Sequence, residues 1–243
     1  MRCTVVALAA LGVSALAQEA PSAPDVVAAY VKALGGQQKL QGVTSKVMTG
    51  TLLNSDDGTT SKFTARAKAP NLYALVISLS DEGTMQTVFA GDAGWNQDPD
   101  SGVRPMNKAD LAAARSDYDF YRPLHLAELY PQMAPPKKAK LGNADAWVIE
   151  AQPLAGEPEK LWFDAATGLL ISREYQRMTL EDGIIAFQEY FEDYKPVEGI
   201  QVPFKVRRAT PDYELTYTYE KVQLNAPVED AAFAKPAADH GTH

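Results

Sequence analysis

The residues that could do chemistry in this chain are few and poorly grouped. It has three histidines: His240 and His243 lie at the extreme C-terminus, and His125 stands alone in a helical stretch, where a partly buried structural role suits it. The carboxylates Glu189, Glu192 and Asp193 come nearest to an acid and base pair. On a regular strand Glu189 and Asp193 share one face while Glu192 takes the other, and a solvated rim accounts for all three more simply. Asp98-Pro99-Asp100-Ser101-Gly102 opens like a calcium loop but lacks the later carboxylate, so a turn is expected. No Gly-x-Ser-x-Gly elbow, phosphate loop, dinucleotide fingerprint or His-Glu-x-x-His occurs. The expectation is therefore no catalysis, no metal and no cofactor.

The remaining demand is on the elements that shape an apolar surface. Residues 62–68 alternate, with Lys62, Thr64, Arg66 and Lys68 on one face and Phe63, Ala65 and Ala67 on the other, the signature of a half-buried strand. An inward face of alanines leaves volume for neighbours or for a ligand. After a turn at Pro70-Asn71, residues 72–79 set Tyr73, Leu75, Ile77 and Leu79 against Leu72, Ala74 and Val76, so both faces of that strand need cover. Residues 85–90 run into Gly91-Asp92-Ala93-Gly94-Trp95, a turn that delivers a tryptophan to the next strand.

Helices and further strands surround this stretch. Residues 22–34 read as a helix capped by Ser22 or Asp25 and stopped by Gly35-Gly36, followed by a short helix over 37–41 and a strand over 46–54. Between 107 and 130 the spacing of Leu111, Ala114, Tyr118 and Tyr121 is helical until Pro123, and a second short helix spans 124–130. Strands return at 147–151, 160–164, 169–175, 184–193, 202–208 and 213–222 in the rhythm of an antiparallel meander. Together these predict an α+β fold with an antiparallel sheet of about ten strands.

The start of the chain has the charged residue, short apolar run and Ala15-Leu16-Ala17 site of a secretory signal, expected to be cleaved near Ala17. The single cysteine, Cys3, falls before the apolar run and would leave with it, so neither disulfides nor thiol chemistry are expected in the mature chain. The formal charge of −8 becomes −8 − 1 = −9 without Arg2, which argues against nucleic acid as a partner. Residues 18–236 are expected to form one domain and 237–243 a disordered tail.

Lys68-Ala69-Pro70-Asn71-Leu72-Tyr73 followed by Gly91-Asp92-Ala93-Gly94-Trp95 resembles the LolA-like periplasmic lipoprotein carriers and their outer-membrane lipoprotein-sorting relatives. So do Trp162-Phe163-Asp164-Ala165-Ala166-Thr167-Gly168-Leu169-Leu170 and Asp193-Tyr194-Lys195-Pro196-Val197-Glu198-Gly199-Ile200-Gln201-Val202-Pro203-Phe204. The resemblance implies a curved antiparallel sheet forming an unclosed β-barrel, a half-barrel, with helices covering its concave face. It also implies a periplasmic, non-catalytic carrier of a lipid or of a lipid-modified protein. Such carriers have an arginine directly before the Pro-Asn, where this chain has Ala69. On this reading the cavity is expected to be lined by Phe63, Ala65, Ala67, Leu75, Ile77, Phe89, Trp95, Tyr118 and Leu129. The insertion at 107–130 is either the family's mobile lid or a plain core-covering segment. A monomer making transient contact with envelope membrane proteins is expected. The alternative is an envelope interaction or sensor module with the same fold and no lipid cargo.

Overall fold

The structure is a computed structural model that describes residues 20–79, 83–179 and 183–237; the expected leader and residues 238–243 of the expected tail lie outside them. The chain enters through α1 (Ala23–Ala33) and the short α2 (Gln37–Gln41). Ser22 and Asp25 close a capping box at the start of α1, each side chain accepting from the other's backbone N–H at 3.3 and 3.1 Å. Beyond its end Gly35 and Gly36 adopt φ of 124° and 91°, a region glycine enters without steric penalty. The Gln201 N–H then donates to the Leu34 carbonyl at 2.9 Å, fixing the helix end to the sheet.

Six strands follow: β1 (Ser45–Asn54), β2 (Thr60–Lys68), β3 (Leu72–Leu79), β4 (Gly83–Ala90), β5 (Ala93–Asp98) and β6 (Gly102–Pro105). The insertion carries α3 (Lys108–Asp117) and α4 (Leu126–Leu129). Eight more strands complete the chain: β7 (Gln132–Met133), β8 (Lys137–Leu141), β9 (Ala144–Gln152), β10 (Glu159–Asp164), β11 (Leu170–Thr179), β12 (Gly183–Val197), β13 (Ile200–Ala209) and β14 (Glu214–Leu224). All fourteen join one antiparallel sheet in the order β6-β5-β4-β3-β2-β1-β14-β13-β12-β11-β10-β9-β7, with β8 also on β9. The fold is thus mostly β, with more strands than the expected ten, because short strands flank the insertion. The end strands do not pair with each other, so the sheet is not closed. Among the described residues, the only non-sequential pairing on the path before the last strand is β1 with β14, which joins the two halves of the chain.

Each face of the sheet is covered in part. On the inner face α1 packs Val26, Tyr30 and Leu34 against Ile149, Leu161, Phe163 and Leu170, with Leu126 and Tyr130 beside them. On the outer face a 3-10 turn (Asp230–Phe233) sets Phe233 against Ala74 and Val88. That turn supplies the cover the second face of β3 requires.

Candidate functional site

The antiparallel register aligns inner-face residues of β1 to β4 in rows. One row runs Gly50, Phe63, Ile77, Met85, a second Met48, Ala65, Leu75, Thr87, and a third Lys46, Ala67, Tyr73, Phe89. Gly50 also pairs with Tyr219 of β14. Across Gly50 the rings of Phe63 and Tyr219 meet edge to face at 5.4 Å. A Cβ there would stand 2.0 Å from the Thr218 carbonyl oxygen.

Two cavities lie along these rows. The larger, about 840 Å³, is walled by Phe63, Ala65, Leu75 and Ile77, by Leu215 and Tyr217 of β14, and by Val206 of β13; Asn54, Asp57, Thr59, Asn96 and Arg104 form polar margins. Residues from β5 to β13 facing one space require the sheet to curl around it. The smaller, about 300 Å³, lies between the inner ends of β1, β2 and β13 and the segment 117–124, with Leu34, Ala67, Phe120, Val202 and Leu224 in its wall. Both volumes fall within the range of small-molecule sites, roughly 300–1,000 Å³.

Tyr73, Tyr118 and Tyr219 line both cavities. Tyr118, at the C-terminal end of α3, stacks on Tyr73 with ring centroids 4.2 Å apart and planes 8° from parallel. Burial raises the phenols of all three well above the ordinary tyrosine range, which keeps them neutral donors. Lys46 also lines the smaller cavity, with its ammonium over the Phe120 ring at 4.5 Å. Burial pushes it down to about 8.

The inner face of β11 is built differently. Arg173, Tyr175 and Arg177 recur at every second residue, and both guanidiniums stack on the Tyr175 ring at 4.4 Å. Arg173 donates to both oxygens of Glu159, at 2.7 and 2.9 Å, and lies 2.8 Å from Asp117. Arg177 reaches the same two carboxylates, at 3.4 and 3.1 Å. Arg208 donates to Glu189 at 2.9 and 2.8 Å, so three carboxylates face three guanidiniums. Tyr130 donates to Glu159 and accepts from Arg122. Burial favours the neutral acids, but the arginines override it and hold Asp117 and Glu159 below the usual carboxylate range. Fully paired, these carboxylates are held as acceptors and are poor candidates for proton transfer.

Of the residues expected at the cavity, Phe63, Ala65, Leu75, Ile77 and Tyr118 line the larger space, and Ala67 and Tyr118 the smaller. Phe89 is fully buried beneath Tyr118, at 5.8 Å between centroids, and lines neither. Trp95 pairs with Val88 and belongs to the outer cluster around Ala74 and Phe233, so the turn before it delivers it to the opposite side. Leu129 packs into the core beneath α1. Ala69, where the carriers have arginine, packs with the cluster around Phe120.

Glu189 and Asp193 do not share a face. Asp193 has φ of 54°, and it and Phe204 opposite it drop out of the pairing between β12 and β13 without a change of register, while Tyr194 packs on the inner side. Asp193 instead pairs with Lys195 at 2.7 Å on the surface. His125 lies 2.8 Å from Asp119, and Asp98 accepts from the Ser101 backbone and bridges to Arg104, each at 2.7 Å.

No protein-family model matches the chain, and no curated protein matches it. Among solved structures, a DUF1329 family protein from Desulfovibrio piger superposes with a TM-score of 0.61 at 14% identity, covering 87% of this chain and 96% of its own. A LolA superfamily protein from Nitrosomonas europaea gives 0.59 at 13% identity, covering 89% and 99%. A structure described as an outer membrane lipoprotein-sorting protein domain, from Vibrio parahaemolyticus, gives 0.57 at 12%, covering 82% and 94%. The chain therefore has a LolA-like fold.

Proposed function

We propose that this protein is a non-catalytic binding protein or carrier of the periplasm, its unclosed sheet acting as a half-barrel that holds a lipid or the acyl chains of a lipid-modified partner. The observation that carries the reading is the 840 Å³ cavity walled by Phe63, Ala65, Leu75 and Ile77. The likeness of fold to a lipoprotein-sorting domain supports it, and so does the full pairing of the buried carboxylates described above.

The energetics suit a carrier. Each methylene moved from water into an apolar site gains about 0.8 kcal/mol, so a chain of about 14 methylenes gains roughly 11 kcal/mol before ordering is subtracted. A bilayer offers nearly the same, which leaves exchange between membrane and protein close to balance without an energy source. Native mass spectrometry of the mature protein, purified gently from a periplasm, tests this directly. A stoichiometric acyl adduct is expected; a clean apo mass that persists after incubation with lipid vesicles would move the reading to an interaction module without cargo.

A further inference from the structure

We propose that Lys46 is the head-group anchor of the smaller cavity, and that the ligand is a single-chain amphiphile with an anionic head, a carboxylate or a phosphate monoester. This rests on the lipid-binding reading and narrows it to a ligand class. Lys46 occupies an inner-face position of β1, in register with Ala67 and Leu224, where a plain apolar residue would serve packing as well. Its ammonium has no carboxylate within ion-pair distance among the described residues and lies instead over the face of Phe120. An unpaired charge at the wall of an apolar space is unfavourable until an opposite charge arrives.

The other charged groups at this cavity are already engaged. Asp117 is held by Arg173 and Arg177, and Asp119 by His125. Among the described residues that line this cavity, Lys46 is thus the cation without a carboxylate partner. The rings of Tyr73, Tyr118 and Tyr219 line this cavity together with Lys46, and the same three rings border the larger one. A head at Lys46 thus leaves its tail along the apolar wall of the smaller cavity, toward the stacked tyrosines that stand between it and the larger space.

Three probes on one scaffold test this: palmitate, hexadecyl phosphate and methyl palmitate, titrated by displacement of a fluorescent fatty-acid analogue from the wild type, Lys46→Met and Lys46→Arg. The wild type is expected to bind at least one anionic probe tenfold or more above the ester, the ratio for one charge-assisted hydrogen bond. Whichever anion is preferred identifies the head. Lys46→Met is expected to erase that preference while holding the ester within twofold of wild type, and Lys46→Arg to keep part of it. If ester and acids bind the wild type equally, or if Lys46→Met retains the preference, the anchor is wrong and the cavity stands. Failure of all three probes on the wild type overturns both readings. Should Lys46→Met not fold, Lys46→Gln makes the same comparison.

Discussion

One face of one sheet is finished in two different ways. Over β9, β10 and β11 it is filled: α1 lays Val26, Tyr30 and Leu34 on Ile149, Leu161 and Phe163, and beyond them the Arg173 network occupies the space with paired charge. Over β1 to β4 the inner residues are Ala65, Ala67, Gly50 and a spaced set of rings, and volume is left. The strands pair alike on both sides. What differs is side-chain size and the presence of a helix above, so the capacity to hold a ligand is a property of the covering and not of the sheet.

The largest expected effect comes from unbalancing the filled side. Glu159 is almost completely buried and serves Arg173, Arg177 and Tyr130 at once. Glu159→Gln removes the charge at nearly constant shape and leaves Arg173 short of a partner, which for a buried pair costs about 3–5 kcal/mol. Urea unfolding should show it as a lower midpoint with unchanged slope. The network also sets the acid limit. Because Asp117 and Glu159 are lowered on folding, their contribution is complete above the unfolded carboxylate value of about 4 and is lost as pH falls through the folded values. The variant should therefore lose less stability than wild type on acidification. A loss under about 1 kcal/mol would mean that the charges merely fill space.

A matched pair of substitutions tests the contrast itself. Ala151 is fully buried in the filled core, and Ala67 lines the smaller cavity. Ala151→Leu overpacks and is expected to cost about 1–3 kcal/mol. Ala67→Leu has room to enter and should stay within about 0.5 kcal/mol of wild type while reducing binding of the fluorescent fatty-acid analogue. Equal destabilisation at both sites would show that the two halves are packed alike and that the cavity has no slack.

Local chemistry made much of this legible in advance. Ser22 with Gly35-Gly36 bounds α1, and the alternation of Phe63, Ala65 and Ala67 against the charges of β2 identifies the inner face, because period and turn residues act over short range. Trp95 and Asp193 were misread for one reason: the length of a turn or a single positive-φ residue decides which side the next side chain faces, and strict alternation does not foresee it. The network joins Asp117 to Arg177 and Glu159 to Arg173 across different elements, and such pairings follow from the folded topology. One sign was available: Arg173, Tyr175 and Arg177 share a face by spacing alone. Lys46 carried a similar sign, in phase with Met48 and Leu52 in an otherwise apolar row.

The smallest effect is also the most discriminating. α1 and α3 both begin with a capping box, at Ser22 with Asp25 and at Asn107 with Asp110, so removing either cap weakens its helix by a similar amount, about 1 kcal/mol. How that loss appears depends on what each helix is tied to. α1 buries Ala23, Val26 and Tyr30, whereas α3 buries Ala114 alone. A cap lowers global stability in full only when its helix unfolds with the rest; a weakly docked helix opens locally instead. Ser22→Ala is therefore expected to lower the unfolding free energy by about 1 kcal/mol. Asn107→Ala should change it by less than about 0.5 kcal/mol and speed hydrogen exchange at the amides of α3. Since Tyr118 closes that helix and stacks on Tyr73 between the two cavities, local opening of α3 is the motion that would join them. An equal global loss from both variants would instead place α3 in the cooperative core, making the tyrosine pair a fixed wall and leaving the cavities separate.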